Sequence, residues 1–238
     1  EYSEEHQDSE VYGKEDQLEA HHVNLGEEEL EKERNSLKNI VGTKWLSEDE
    51  IIAQAMVFFL AGYETTASTL SFCLFELAVN PVIQDRLFQE IQQAKLLDPT
   101  LSYQTIQNLH YLDAVLSEAL RKYPPALVIG REFNGEQKYE IPEMANNFSL
   151  KKGDCVQFPI YAIHHQPEFY PEPDRFLPDR FLPENRDKLT PYTYLPFGQG
   201  PRNCVGLRFA YQEIKLLLGG MLPKFKFTPT LDTPKVLK

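Results

Sequence analysis

No two cysteines in this 238-residue sequence stand at C-x-x-C spacing; Cys73, Cys155 and Cys204 lie far apart. That argues against a disulfide framework and suits a reducing compartment. There is no excess of positive charge either. The formal net charge is −12, which gives no reason to expect nucleic-acid binding. Long apolar runs are also lacking. The longest, Ala55 to Gly62, is far short of the ~20 residues needed to cross a bilayer. The sequence has no initiator methionine, no basic leader and no signal-type apolar segment at its start. It is therefore expected to continue upstream, as the C-terminal part of a longer polypeptide. Internal repeats are absent. What is present is 42% apolar residues, enough to bury a real core.

The negative charge is unevenly spread. Residues 1–34 hold 13 acidic residues against Lys14, Lys32 and Arg34, leaving the rest close to neutral. Residues 1–44 are acidic, with little apolar periodicity, and read as a solvated, disordered linker or loop. His21 and His22 sit in it as a solvated pair, with no second ligand pair nearby. Organised sequence begins near Trp45 and runs to residue 238.

Ser47 followed by Glu50 is a capping box and opens a helical pattern. Ile51, Ile52, Ala55, Phe58, Phe59, Gly62, Thr66, Thr69, Leu70 and Cys73 return every three or four residues, until Pro81 breaks the pattern. About thirty residues give a helix of roughly 45 Å, apolar on much of its circumference and expected to run through the core. Helices are also predicted over 81–95, 103–109, 112–122 and 207–222. Lys151-Lys152-Gly153-Asp154 reads as a hairpin turn, and Cys155 to Ile160 as a strand. Residues 166–201 are too rich in proline for regular structure. The fold class is therefore mainly α with small β-sheets.

The strongest chemical signal is Phe197-Gly198-Gln199-Gly200-Pro201-Arg202-Asn203-Cys204-Val205-Gly206, a loop with one cysteine that leads straight into a helix. Gly198, Gly200 and Gly206 permit positive φ and the close approach of a flat ligand. The positive end of the following helix favours a thiolate at Cys204. A sheltered thiolate is what a haem iron takes as its proximal ligand. Glu118 and Arg121 share one face of a helix that also carries Leu116 and Leu120, so they must be paired or exposed. Gly62 sits mid-helix at a cost of ~1 kcal/mol relative to alanine, which asks for a reason. Without the cysteine loop, that reason could be a helix–helix contact, with Thr65 and Thr66 bonded back to carbonyls.

Four segments in order, Ala61-Gly62-Tyr63-Glu64-Thr65-Thr66, Glu118-Ala119-Leu120-Arg121, Pro178-Asp179-Arg180-Phe181 and the Cys204 loop, resemble the motifs of the cytochrome P-450 family. The third departs from the family's P-E-R-F in having Asp179 for Glu. The likeness runs over residues 45–238. YPPALVIGREF and YAIHHQPEFYPEP are similar to the microsomal clan, which includes vertebrate drug-metabolising and arthropod detoxification enzymes.

The resemblance implies the C-terminal haem-binding portion of that fold: a long central helix, an E-x-x-R helix, a meander and a Cys loop. It implies haem b (iron protoporphyrin IX) ligated by Cys204, with Phe197 against its proximal face. Gly198 and Gly206 shape the loop, and Arg202 and Arg131 are candidates for the propionates. Thr65 would hydrogen-bond dioxygen and water, Glu64 relay protons, and Ala61 and Gly62 leave room beside the oxygen site. Glu118, Arg121 and Arg180 would lock the meander to the loop. His164 would reach a propionate at most, Cys73 and Cys155 would be core filler, and Val128, Ile129, Phe58 and Phe59 could line a substrate pocket.

The implied activity is a monooxygenase that inserts one atom of dioxygen into a small apolar substrate. Electrons would come from NADPH through NADPH–cytochrome P-450 reductase, with cytochrome b5 as a further partner. The implied place is the cytoplasmic face of the endoplasmic reticulum membrane, through an anchor upstream of this chain. Residues 1–238 alone are expected to bind haem poorly or not at all. The rival readings are a haem-thiolate isomerase, for which changed residues at the intact Glu64-Thr65 would speak, a truncated product acting only by interaction, and an unrelated helical binding module.

Overall fold

The computed structural model describes residues 46–141 and 148–234. The acidic segment, His21, His22 and Trp45 lie outside the described residues.

A long helix opens the structure, α1 (Glu48–Val79), followed by α2 (Pro81–Leu97), α3 (Tyr103–Gln107) and α4 (His110–Lys122). Strands β1 (Ile129–Glu132), β2 (Tyr139–Glu140), β3 (Ser149–Leu150) and β4 (Cys155–Phe158) come next. Helix α5 (Ile160–His164), a proline-rich meander and α6 (Leu207–Met221) complete the order. The meander holds two 3₁₀ turns, Pro178–Phe181 and Pro183–Lys188, where the proline count had predicted no regular structure. Proline at the first position of each turn costs no hydrogen bond there.

The capping box forms as the sequence predicts. Ser47 Oγ accepts from the Glu50 N–H, and the Glu50 carboxylate accepts from the Ser47 N–H at 2.8 Å. The expectation that α1 runs through the core holds only for its second half. Thr66, Thr69, Cys73, Glu76 and Leu77 are buried, whereas residues 48–65 are exposed, including Ile52, Phe58, Phe59 and Leu60. The reason is geometric: the packing partners of α1, which are α2, α4 and α6, meet it at its C-terminal end.

Helix α4 is the one that runs through the core, with Ala114 to Arg121 buried without interruption. A helix buried all round is surrounded on all sides by other elements. Here they are α1, α2, α5, α6 and the 3₁₀ turn Pro178–Phe181. Its N-terminus has no local side-chain cap. Instead Glu90 on α2 accepts from the Tyr111 N–H at 2.7 Å and the Leu112 N–H at 2.9 Å. A carboxylate at that position satisfies two orphan donors and complements the helix dipole.

The turn at 151–154 forms, with Gly153 at φ +90°, but it does not join paired strands. β4 pairs with β1 and β3 with β2, both antiparallel. The turn instead bonds back to Phe133, extending the β1–β4 ribbon. The strand from Cys155 stops at Phe158, because Ile160 already belongs to α5. Cys155 is exposed rather than core filler, since a two-stranded ribbon covers neither of its faces. Cys73 is buried, and desolvation pushes its thiol up to about 12, so it stays neutral.

Among the described residues no single helix is long and apolar enough to cross a membrane. The pair α1 and α2 passes by length and composition but bends by 110° at Asn80.

Candidate functional site

The Cys204 loop is a folded turn held by its own backbone. The Gly198 N–H donates to Leu195 O at 3.1 Å, Asn203 N–H to Gly200 O at 3.0 Å, and Cys204 N–H to Phe197 O at 2.9 Å. Gly198 (φ +71°) and Gly200 (φ +82°) occupy the left-handed region as predicted. Gly206 does not: its φ is −88°, and it serves as the N-cap of α6. A Cβ there would lie 3.9 Å from Cys204 Sγ, an ordinary contact, so neither backbone nor space demands glycine at 206. Cys204 is exposed. No acidic residue stands in the first turn of α6, so that end of the helix keeps its positive dipole beside the sulfur.

Arg131, 71 residues upstream, reaches this loop. Its Nη2 donates to Arg202 O at 3.3 Å and its Nη1 to Gly130 O at 2.8 Å. Both arginines are exposed. Phe197 is half-buried against the core and tilts against Tyr211, with ring centroids 5.5 Å apart.

The structure brings Glu118, Arg121 and Arg180 together behind the loop. Glu118 and Arg121 are fully buried and joined by two parallel bonds, Nε to Oε2 at 2.7 Å and Nη2 to Oε1 at 2.9 Å. The Leu177 N–H donates to Glu118 Oε1 at 2.8 Å, and Arg180 Nε stands 3.5 Å from the same oxygen, an ion pair without a hydrogen bond. Burial pushes the Glu118 carboxyl above its ordinary value, against the opposing pull of Arg121, Leu177 and Arg180. Arg121 also donates to three carbonyls, His164 O, Pro173 O and Arg175 O. Arg180 donates to Pro171 O and Glu172 O. Asp179, where the family's motif has Glu, pairs on the surface with Arg86 at 2.6 Å.

His164 departs from expectation. It is fully buried, and backbone groups occupy both of its ring nitrogens, which leaves neither for a propionate. The Leu195 N–H donates to its Nε2 at 2.8 Å. Nε2 is therefore bare and the proton sits on Nδ1, which donates to Arg121 O at 3.1 Å. Burial, with smaller contributions from the Arg121 and His165 charges, pushes its pKa down to about 3. The folded protein thus refuses a proton that the unfolded chain accepts below its ordinary value of 6.5. Stability is complete above 6.5 and is lost as the pH falls toward 3, at up to ~1.4 kcal/mol per pH unit. Between pH 7 and 5 the protein is expected to lose about 2 kcal/mol more than its His164→Gln variant. Urea unfolding at the two pH values measures this, and equal losses would show that His164 takes up its proton as readily folded as unfolded.

The α1 motif stands on the exposed half of that helix. Thr65 Oγ1 donates to Ala61 O at 2.7 Å, the back-bonding that the sequence allowed. A Cβ on Gly62 would meet nothing within 4 Å, so Gly62 makes no helix–helix contact among the described residues. Gly62→Ala is therefore expected to stabilise residues 1–238 by ~0.5–1 kcal/mol, read as a higher urea midpoint. The resemblance implies that the same change slows turnover; a variant that is both more stable and as fast would dissociate Gly62 from function. Glu64 is exposed, as are Phe58, Phe59 and Val128, and Phe59 stacks on Tyr63.

Three polar contacts escaped the sequence reading. Glu76 accepts from Lys122 at 2.7 Å and from the Tyr123 hydroxyl, clasping α1 to α4. Lys215, almost wholly buried, pairs with Asp113 at 2.7 Å. The Gln84 amide exchanges bonds with the backbone of Phe227. Only Glu76, in the apolar stretch from Phe72 to Val79, offered a signal of this in the sequence.

Among the described residues no cluster of three or more His, Cys, Asp or Glu could hold a bare metal ion. A metal that arrives inside its own macrocycle needs only one protein ligand. An exposed sulfur, glycines that leave its surroundings bare and two exposed arginines fit a flat, dianionic ring of that kind. The model of the family described as "Cytochrome P450" matches residues 1–238. The chain belongs to the cytochrome P-450 family. The match includes the acidic segment, which the motif likeness over 45–238 had left out.

Among curated P-450 relatives, "Cytochrome P450 9e2" of Blattella germanica is 45% identical over 196 residues, 82% of this chain and 36% of that protein. "Cytochrome P450 3A2" of Rattus norvegicus is 45% identical over 204 residues, 86% of this chain and 39% of that protein. "Probable cytochrome P450 6a13" of Drosophila melanogaster is 45% identical over 194 residues, covering 81% and 38%. The chain thus spans less than two fifths of the length of these relatives. P-450 proteins bind haem and are monooxygenases, and the mainly helical structure with small antiparallel sheets is consistent with part of their fold.

Proposed function

We propose that this chain supplies the haem-thiolate half of a monooxygenase, with Cys204 as the sole protein ligand to the iron of haem b. The observation that carries this is an exposed cysteine at the N-terminus of α6, with Gly198 and Gly200 in left-handed conformation beside it. Haem held there supplies reductive activation of dioxygen and transfer of one oxygen atom to a small apolar substrate. Arg131 and Arg202 would pair with its carboxylates, which the resemblance assigns to these positions. Phe197 would pack on the proximal face, Gly206 keep the sulfur accessible, and Ala61 and Gly62 leave the opposite face uncrowded. The Thr65 hydroxyl, which gives its proton to Ala61 O, keeps lone pairs to accept another, and exposed Glu64 can exchange protons with water. Glu118, Arg121 and Arg180 would hold the meander and loop in register.

The same reading takes NADPH-derived electrons from NADPH–cytochrome P-450 reductase, with cytochrome b5 as a second donor. It puts the whole protein at the cytoplasmic face of the endoplasmic reticulum membrane. The likeness to the microsomal clan supports both points.

The carbon monoxide spectrum of the reduced protein tests the proposal. The full-length polypeptide is expected to show the red-shifted Soret band of thiolate ligation. Residues 1–238 supplemented with haem are expected to show it weakly or not at all. A full-length protein that takes up no haem, or whose band stays where imidazole ligation puts it, overturns the reading.

A further inference from the structure

Long-range hydrogen bonds hold the Cys204 loop and the residues leading into it, among them the Tyr194 hydroxyl to Ser117 O at 2.9 Å and two more. One is exposed: Arg131 Nη2 to Arg202 O, at 3.3 Å. The other is part-buried, where the Leu195 N–H meets His164 Nε2 at 2.8 Å. His164 is gripped in turn by the E-x-x-R helix. Its Nδ1 donates to Arg121 O, and its own carbonyl accepts from Arg121 Nη1 at 2.9 Å. Its ring lies near-parallel to Tyr194 at 5.5 Å and edge-on to Tyr170 at 6.2 Å, which fixes its plane. From Leu195 the bonds continue, Leu195 O to the Gly198 N–H and Phe197 O to the Cys204 N–H. An unbroken series of hydrogen bonds therefore joins the buried Glu118–Arg121 pair to the backbone of the cysteine.

We propose that His164 is a positioning residue for Cys204, acting through one atom: the bare Nε2 that accepts the Leu195 N–H. The inference rests on the reading of Cys204 as the haem ligand. The two ring nitrogens do different work. Nδ1 anchors His164 to α4, whereas Nε2 alone reaches the loop. A part-buried N–H that loses its acceptor is left partly desolvated, and Leu195 relieves this by turning toward water, which carries Phe197 and Gly198 with it. The exposed Arg131 tie cannot compensate, because water competes for both of its groups.

Two amide variants of the full-length polypeptide separate the atoms. A glutamine amide extends to where Nε2 stands and can accept from Leu195. An asparagine amide reaches only the position of Nδ1, keeps the Arg121 bond and leaves Leu195 unmatched. The readout is the share of reduced carbon monoxide complex with the thiolate-type Soret band, alongside haem content. His164→Gln is expected to keep nearly all of the parent's thiolate-type band, while His164→Asn loses it by about tenfold in the ratio of the two forms. If the two variants behave alike, both keeping the band or both losing it, the proposal is overturned, since a merely structural histidine does not distinguish the amides. A parent protein without the thiolate-type band instead overturns the assignment of Cys204.

Discussion

Cys204→Ser is expected to remove the thiolate-type spectrum and to lower turnover of the full-length polypeptide by at least a hundredfold while leaving the fold intact. Outer partners of a metal site already command about 10–100-fold each, and the ligand itself commands more. The hydroxyl of serine is a harder, less electron-rich donor than a thiolate, so it favours O–O cleavage less. Stability should barely move. Cys204 is exposed, and the loop is held through backbone groups that the substitution does not touch. Exposed substitutions of this kind stay within about 0.5 kcal/mol. The measurements are the reduced carbon monoxide spectrum, turnover of an apolar substrate and a urea titration. An unchanged Soret band with full turnover removes Cys204 from the chemistry and leaves this reading without a site.

Glu118→Gln is expected to be the most damaging change to stability. The carboxylate is fully buried and receives two bonds from Arg121 and one from the Leu177 N–H, with Arg180 close by. Replacing it with a neutral amide of the same shape leaves the Arg121 guanidinium charged, buried and uncompensated. Breaking a buried pair in this way costs about 3–5 kcal/mol. That is a large fraction of the ~5–15 kcal/mol that holds a domain together. An exposed i,i+3 pair would cost only tenths of a kcal/mol, so the two possibilities are well separated. Urea unfolding of the full-length polypeptide decides: a loss under about 1 kcal/mol means that the pair behaves as a surface pair does.

Much of the helical order was legible because its signals are local. Ser47 with Glu50 gave the start of α1 and Pro81 its end. The glycines at 198 and 200 told of their left-handed backbone through their type alone. What was not legible depends on neighbours distant in sequence. Nothing near Leu109 says that Glu90 will cap α4. Nothing near Lys151 says that its turn belongs to a ribbon with Phe133 rather than to a hairpin. The apolar circumference of α1 suggested a core helix, yet burial is decided by what packs against it, and half of that surface meets nothing among the described residues. His164 was legible only in part, as a member of a structural segment before the meander. A histidine beside a second histidine suggests a surface or ligand role, and only the three-dimensional fold reveals two backbone partners 43 and 31 residues away.

The grip on the meander has a further consequence. Every bond from Glu118, Arg121 and Arg180 into residues 164–177 ends on a main-chain atom: the carbonyls of His164, Pro171, Glu172, Pro173 and Arg175, and the N–H of Leu177. Main-chain atoms are the same whatever residue bears them. The side chains of Gln166, Glu168 and Asp174 face solvent and can drift without loosening the clamp. Natural variation should therefore collect at those sites, giving this surface a changeable face over a fixed path of chain.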